Sequence, residues 1–441
     1  MNARVAQLLE QGQSIWQDDI SRGQIQSGGL AAMIEDVGIR GVTSNPSIFE
    51  KAIAGSADYD APIAELSSHR MSDAAIFEEL SVTDIQHACD VFRPIYDLSD
   101  GADGFVSIEV APDLARNADG TREAVRHLWK KIDRPNLMVK IPGTVEGAPI
   151  IQEMIAEGIN INITLLFSIE AYERVAQAYI TSISQRYSDG QPIHHVASVA
   201  SFFVSRVDTL VDKQLNEKIS ETKNPGTRKA LEDLRGKAAV ANAKLAYAKF
   251  QELFSGPTWE ALEAAGARPQ RPLWASTGTK NPDYSDVLYV DTLIGPHTVN
   301  TMPHKTMQAF IDHGVVKRTV DANLSEAQAV MHDLEAAGIS MKAVTDQLED
   351  GVSPTSKRRW RPCWPASRAN APPWPPPQTE ASSDATREEP RSSNLDRGSP
   401  VSRKTHPHTD LQLQAQLPDK DFFAQAAGHS QRKNLQPDPS F

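Results

Sequence analysis

The sequence predicts a (β/α)8 barrel of the TIM type with extra helices, followed by a disordered C-terminal tail. Three observations carry that reading. Short apolar runs hold their polar residues at period two, so each run puts its chemistry on one face and aliphatic side chains on the other. Helical patterns separate the runs, which makes them parallel strands joined by crossovers rather than hairpins. Eight such runs can be counted, the number that closes into a barrel with catalytic residues at the strands' C-terminal ends.

In chain order the strands are read as Ser14–Asp18, Gly41–Asn45, Phe105–Glu109, Leu137–Ile141, Asn160–Phe167, His195–Phe203, Pro272–Thr277 and Val287–Ile294. In the third, Ser107 and Glu109 share a face opposite Val106, Ile108 and Val110. In the fifth, Asn160, Asn162 and Thr164 oppose Ile161, Ile163 and Leu165. Lys140 opposes Val139 and Ile141. Asp18, Asn45, Glu109, Lys140, Asn162, Thr164 and Ser201 all fall at or near strand ends, so their faces converge at one mouth of the barrel.

The helices follow from caps and spacing. Ser168 caps a helix whose apolar positions are Ile169, Tyr172, Ala176, Tyr179 and Ile180. Pro149 sits in a first turn ahead of Ile150, Ile151, Met154 and Ile155. Val207, Val211 and Leu215 mark another stripe, and the alanine-rich stretch Ala230–Phe254 reads as one long helix. The interval between the second and third strands exceeds a single crossover and holds the extra helices.

Lys140 is the residue whose chemistry stands out. An ammonium in an apolar strand is costly unless it is paired or its pKa falls, and a desolvated lysine is a nucleophilic amine. The competing reading is a lysine neutralised by one buried carboxylate. No metal site emerges. His194 and His195 are read as adjacent on a strand and facing opposite ways, and His297, His304 and His313 lack close ligand spacing.

Two segments resemble a known family. Gly41-Val42-Thr43-Ser44-Asn45-Pro46-Ser47-Ile48-Phe49 resembles the first signature of the transaldolases. Leu137–Gly143, followed by Asn160-Ile161-Asn162-Ile163-Thr164-Leu165-Leu166-Phe167-Ser168, resembles the region around their Schiff-base lysine. The resemblance covers residues 1–352 and is nearest the longer bacterial form. It implies that Lys140 attacks the C2 carbonyl of a ketose, that Asp18 takes the C4 hydroxyl proton, and that Glu109 is the acid/base of carbinolamine chemistry. Asp19, on the other face, is the weaker choice for the base. Thr164 would position a water, and Asn45 and Asn162 would hold hydroxyls of the three-carbon unit. Ser201 and Arg206 would contact the substrate phosphate with Phe203 as a wall, and Lys280 stands where many members have arginine. Lysine is a point charge rather than a bidentate fork, so the phosphate would be held less rigidly. The plainer reading of Arg206 is a surface ion pair. The implied partners are sugar phosphates and the implied cofactor is none, because the iminium is itself the electron sink.

Composition fits a soluble cytoplasmic enzyme with no nucleic-acid or membrane partner, and the expected state is monomer or homodimer. The 441 residues carry a formal net charge of -12, so a phosphate anchor must be local. Two cysteines, Cys89 and Cys363, argue against a disulfide scaffold. Neither a signal peptide nor a membrane-length apolar run is present.

Composition shifts after Val352, which divides the chain into a barrel at 1–352 and a Pro/Ser/Arg-rich segment at 353–441. The latter holds about half of the 29 prolines and lacks aliphatic periodicity, the signature of disorder. Lys357-Arg358-Arg359-Trp360-Arg361 could be read as a nucleic-acid patch, and Ala371–Pro377 as a polyproline ligand, but solvated charge and proline are the simpler readings. Transaldolases usually continue with one more amphipathic helix, so the segment is read as an out-of-frame translation. Two alternatives to a working transaldolase follow: an inactive barrel lacking that helix, and a simple aldolase that releases dihydroxyacetone.

Overall fold

The computed structural model describes residues 1–352. The expectations for residues 353–441, including the basic and proline-rich motifs, lie outside them. Eight parallel strands close into a barrel in sequence order: β1 (Gln13–Asp18), β2 (Gly41–Thr43), β3 (Phe105–Glu109), β4 (Leu137–Pro142), β5 (Ile161–Leu166), β6 (Ser198–Phe203), β7 (Arg271–Ala275) and β8 (Thr298–Met302), with β8 pairing back onto β1.

The register explains the alternation in the sequence. Glu109 lies beside Lys140, and Lys140 beside Asn162, so polar positions of successive strands share one inward layer. Below it, Trp16, Phe105, Met138, Val199, Leu273 and Val299 fill the interior. Gly41 is required there, because a Cβ would stand 2.7 Å from the Trp16 ring and 2.7 Å from the Phe105 carbonyl oxygen. At the N-terminal end Asp103 accepts from Trp16 Nε1 at 2.8 Å and from Ser14 Oγ, and Arg271 Nη2 donates to Ser14 Oγ at 2.6 Å. These bonds tie β1 and β7 together across the N-terminal end of the barrel. The outward aliphatic faces of the strands meet the surrounding helices in one continuous core.

Four expectations change. The run Val287–Ile294 is not the eighth strand: Leu288–Asp291 is a short helix, and β8 is Thr298–Met302. A short apolar run does not distinguish helix from strand, whereas the true strand is disguised by Thr298, Asn300 and Thr301, all buried. Ala230–Phe254 is not one helix but parts of two, Pro225–Leu234 and Ala238–Leu253. Between them Gly236 has φ +69°, with its N–H bonded to Asp212 and the Tyr284 ring where a Cβ would go. His194 and His195 lie in a turn before β6, not on it, with ring centroids 4.0 Å apart. β2 stops at Thr43, and Asn45 instead caps the helix Pro46–Gly55, accepting from Ile48 N at 3.0 Å. Ser168 caps the helix Ile169–Ser188 as expected.

Candidate active site

Lys140 is 6% exposed at the centre of the inward layer. Its Nζ donates to the Ser44 carbonyl at 3.1 Å and lies 3.2 Å from Glu109 Oε2. The buried carboxylate partner anticipated for a merely structural lysine is thus present. Glu109 sits at the open edge of the layer, half-buried, where the same carboxylate also reaches the mouth.

Asp18 lies across the barrel from this pair. Thr43 Oγ1 donates to Asp18 Oδ1 at 2.9 Å, and a 2.7 Å hydroxyl contact joins Thr43 to Thr301 on β8. Burial pushes the Asp18 carboxyl above the ordinary carboxylate range, and the Lys140 charge and the Thr43 hydrogen bond oppose that rise. Asp18 is partly buried. Asp19 is exposed.

Beside Lys140, Asn162 is fixed at both ends of its amide. It donates to Ser107 Oγ at 3.0 Å and accepts from Ser201 Oγ at 2.7 Å. The Ser201 hydroxyl proton is therefore committed inside the layer, and Ser201 orients Asn162 rather than reaching outward beside Arg206. Thr164, two residues on, is 1% exposed.

At the rim, Arg206 opens the helix Ser205–Glu221 with its guanidinium over the Phe203 ring, 5.0 Å from the centroid, while Phe203 in turn meets Phe167 at 5.4 Å. It is solvent-reachable but surrounded by the walls of the mouth. Crowding pulls its pKa down and the Glu109 charge acts in the opposite sense. Arg206 forms no ion pair among the described residues, so the surface-pair reading finds no support. Lys280 follows β7 and is exposed, near enough for its charge to act on Asp18.

A buried lysine, two separately placed carboxylates, a polar amide and two cations are thus carried by the strands of one barrel and the segments that follow them. The profile of the transaldolase/fructose-6-phosphate aldolase family matches residues 15–354. The chain belongs to that family. It is 49% identical to a transaldolase of Acidothermus cellulolyticus over 354 residues, 80% of this chain and 93% of the relative. It is also 49% identical to one of Trichodesmium erythraeum, over 76% of this chain and 89% of the relative. A Mycobacterium tuberculosis transaldolase is 48% identical over 79% of this chain and 92% of the relative. A family member with these relatives is an enzyme, a transferase.

Every sequence-predicted residue of the transaldolase-like site lies on one end of the barrel, but they divide into groups. Lys140, Glu109, Asn162 and Ser201 form a connected cluster, Asp18 stands opposite with Thr43, and Arg206 with Phe203 forms the rim. Thr43, Ser44 and Thr301 are given no role by the sequence, and Ser107 is placed on the polar face of its strand without one. Ser107 and Thr43 carry the period-two signal that marks the inward face, whereas Ser44 acts through its backbone carbonyl and has no sequence signal. Among the described residues no group of three or more His, Cys, Asp or Glu is arranged to hold a metal ion, and no helix is long and apolar enough to cross a membrane.

Proposed function

We propose that this family member is a transaldolase of the pentose phosphate pathway, working in the cytoplasm through a Schiff base on Lys140. It would move a dihydroxyacetone unit from sedoheptulose 7-phosphate or fructose 6-phosphate to glyceraldehyde 3-phosphate or erythrose 4-phosphate. The observation that carries the reading is Lys140 itself, buried in the barrel interior with its Nζ 3.2 Å from Glu109 and opening toward the mouth that Asp18 lines.

In this reading Glu109 takes a proton from the Lys140 ammonium, and the free amine attacks the ketose C2 carbonyl. Glu109 then returns a proton, through a water held by Thr164, to the carbinolamine hydroxyl, which leaves as water. Asp18 removes the C4 hydroxyl proton, the C3–C4 bond breaks, and its electron pair moves into the iminium to give an enamine while the aldose departs. The acceptor aldehyde is attacked by the enamine in the reverse sense, and water releases the new ketose. Two carboxylates in different settings divide the proton work. Asn162 and the amide donors of Asn45, whose oxygen is used as a helix cap, hold hydroxyls of the three-carbon unit. Arg206 and Lys280 hold the phosphate, with Phe203 as a wall.

The family also includes fructose-6-phosphate aldolases, and an aldolase would release free dihydroxyacetone. Product analysis separates the two. With fructose 6-phosphate and erythrose 4-phosphate, sedoheptulose 7-phosphate and glyceraldehyde 3-phosphate should form in equal amounts with little free dihydroxyacetone. Stoichiometric dihydroxyacetone would instead make the chain an aldolase, and no turnover in a folded sample would leave the inactive-barrel reading.

A further inference from the structure

β5 is not a regular strand. Its ladder with β6 shifts register between Ile163 and Leu166, and Leu165 has φ +65°, a left-handed conformation that a leucine adopts only under constraint. The bulge falls immediately after Thr164, and bulges re-aim the side chains beside them. What holds this one comes from β4 and the helix Ile169–Ser188. Gly143, just past β4, donates its N–H to the Thr164 carbonyl at 2.8 Å. It presses so closely on β5 that a Cβ would lie 2.4 Å from Leu166 Cδ2 and 3.1 Å from Ile163 Cγ2. The Gly143 carbonyl accepts from Arg174 Nη2 at 3.1 Å, and Arg174 Nε is buried with no hydrogen-bond partner among the described residues. That contact links the helix to the strand junction on which the bulge lies. Glu349, half-buried on the last described helix, Met341–Val352, is close enough that the Arg174 charge lowers its carboxyl pKa against the larger effect of burial, which raises it.

We infer that Arg174 is a positioning residue: through Gly143 it clamps the left-handed bulge at Leu165 and so fixes Thr164 for the proton transfers that form and break the iminium. The inference rests on the Schiff-base reading and extends it to a residue outside the barrel. The clamp bears on Thr164 and not on Asp18, which is carried by β1 on the opposite side. Loss of Arg174 should therefore slow iminium formation and leave C–C cleavage of the formed iminium unchanged.

The test is Arg174→Met, which keeps an unbranched apolar stem and removes the donors, with Arg174→Lys as the conservative variant. The rate of borohydride trapping with fructose 6-phosphate reports iminium formation, and release of aldose from rapidly mixed enzyme reports cleavage. The expected result for Arg174→Met is a loss of about tenfold to 10²-fold in trapping rate and kcat, with KM within about twofold, as for a misplacement remote from the chemistry. Arg174→Lys should recover part of that loss. Wild-type kcat and trapping rate in Arg174→Met would overturn the inference, even if its melting temperature fell, because that is the result of a purely structural arginine. A rise in KM without a change in kcat would also overturn it. If the wild-type enzyme gives no trapped adduct, the Schiff-base reading fails first, and the two failures are thereby told apart.

Discussion

Thr43 shows how a single hydroxyl can bear on the charge of a buried carboxylate. Its hydrogen bond to Asp18 opposes the rise that burial imposes on that carboxyl. Removing it in Thr43→Val should move the Asp18 pKa further up, so the acid limb of the kcat profile should shift to higher pH while the alkaline limb stays in place. An unchanged acid limb would mean that Asp18 is not the group read there. The two carboxylates should separate kinetically. Asp18→Asn should still form the iminium but lose roughly 10²–10⁴ in C–C cleavage, and Glu109→Gln should slow iminium formation itself, as measured by trapping against aldose release. Equal effects of both variants on trapping would contradict the division of roles. At this scale the sequence was legible wherever a side chain does the work, because period two placed Lys140, Glu109 and Asn162 on one face. It was silent where backbone does it, as with the Ser44 carbonyl that receives Lys140 and the Gly143 amide that pins Thr164.

Elements were legible where local and long-range preferences agree. Seven of the eight strands lie within the predicted runs or overlap them, because aliphatic residues facing the helices alternate with polar residues facing the barrel. The eighth was misplaced because Thr298, Asn300 and Thr301 are polar residues buried by hydrogen bonding, which a hydrophobic pattern cannot reveal. The break at Gly236 and the bulge at Leu165 are likewise set by distant partners, Tyr284 and Gly143. The helix Ser205–Glu221 carries a further consequence. Asp208 on it is 2% exposed, accepting from Ala239 N at 2.7 Å and Tyr289 Oη at 2.8 Å, and burial raises its pKa to about 6. The folded chain thus holds that proton more tightly than the unfolded chain. The stability it contributes is fully present below about pH 4 and is lost as pH rises through about 6. Relative to wild type, Asp208→Asn should gain stability as pH is raised from 4 to 7, by an amount on the order of 2–3 kcal/mol at most, read as a rise in its melting temperature against wild type. Parallel melting curves across that range would show that Asp208 titrates normally.

Across the described barrel, Trp16, Phe105 and their neighbours fill the interior, and the polar layer of Glu109, Lys140 and Asn162 lies above them. That architecture explains how a buried lysine, two carboxylates and two rim cations, far apart in sequence, come to face one volume. Sequence pattern predicted the convergence because closure of eight parallel strands leaves inward residues no other place to go. The distances that make the cluster chemical, above all the 3.2 Å between Lys140 and Glu109, needed the closed register. The central claim is that Lys140 is the covalent nucleophile rather than a neutralised structural lysine. Borohydride reduction in the presence of fructose 6-phosphate, followed by peptide mass mapping, tests it most directly. The account predicts one reduced dihydroxyacetone adduct per chain, on Lys140, and none in Lys140→Ala under the same conditions. An adduct on another lysine, or no adduct in folded and active wild-type enzyme, would contradict it.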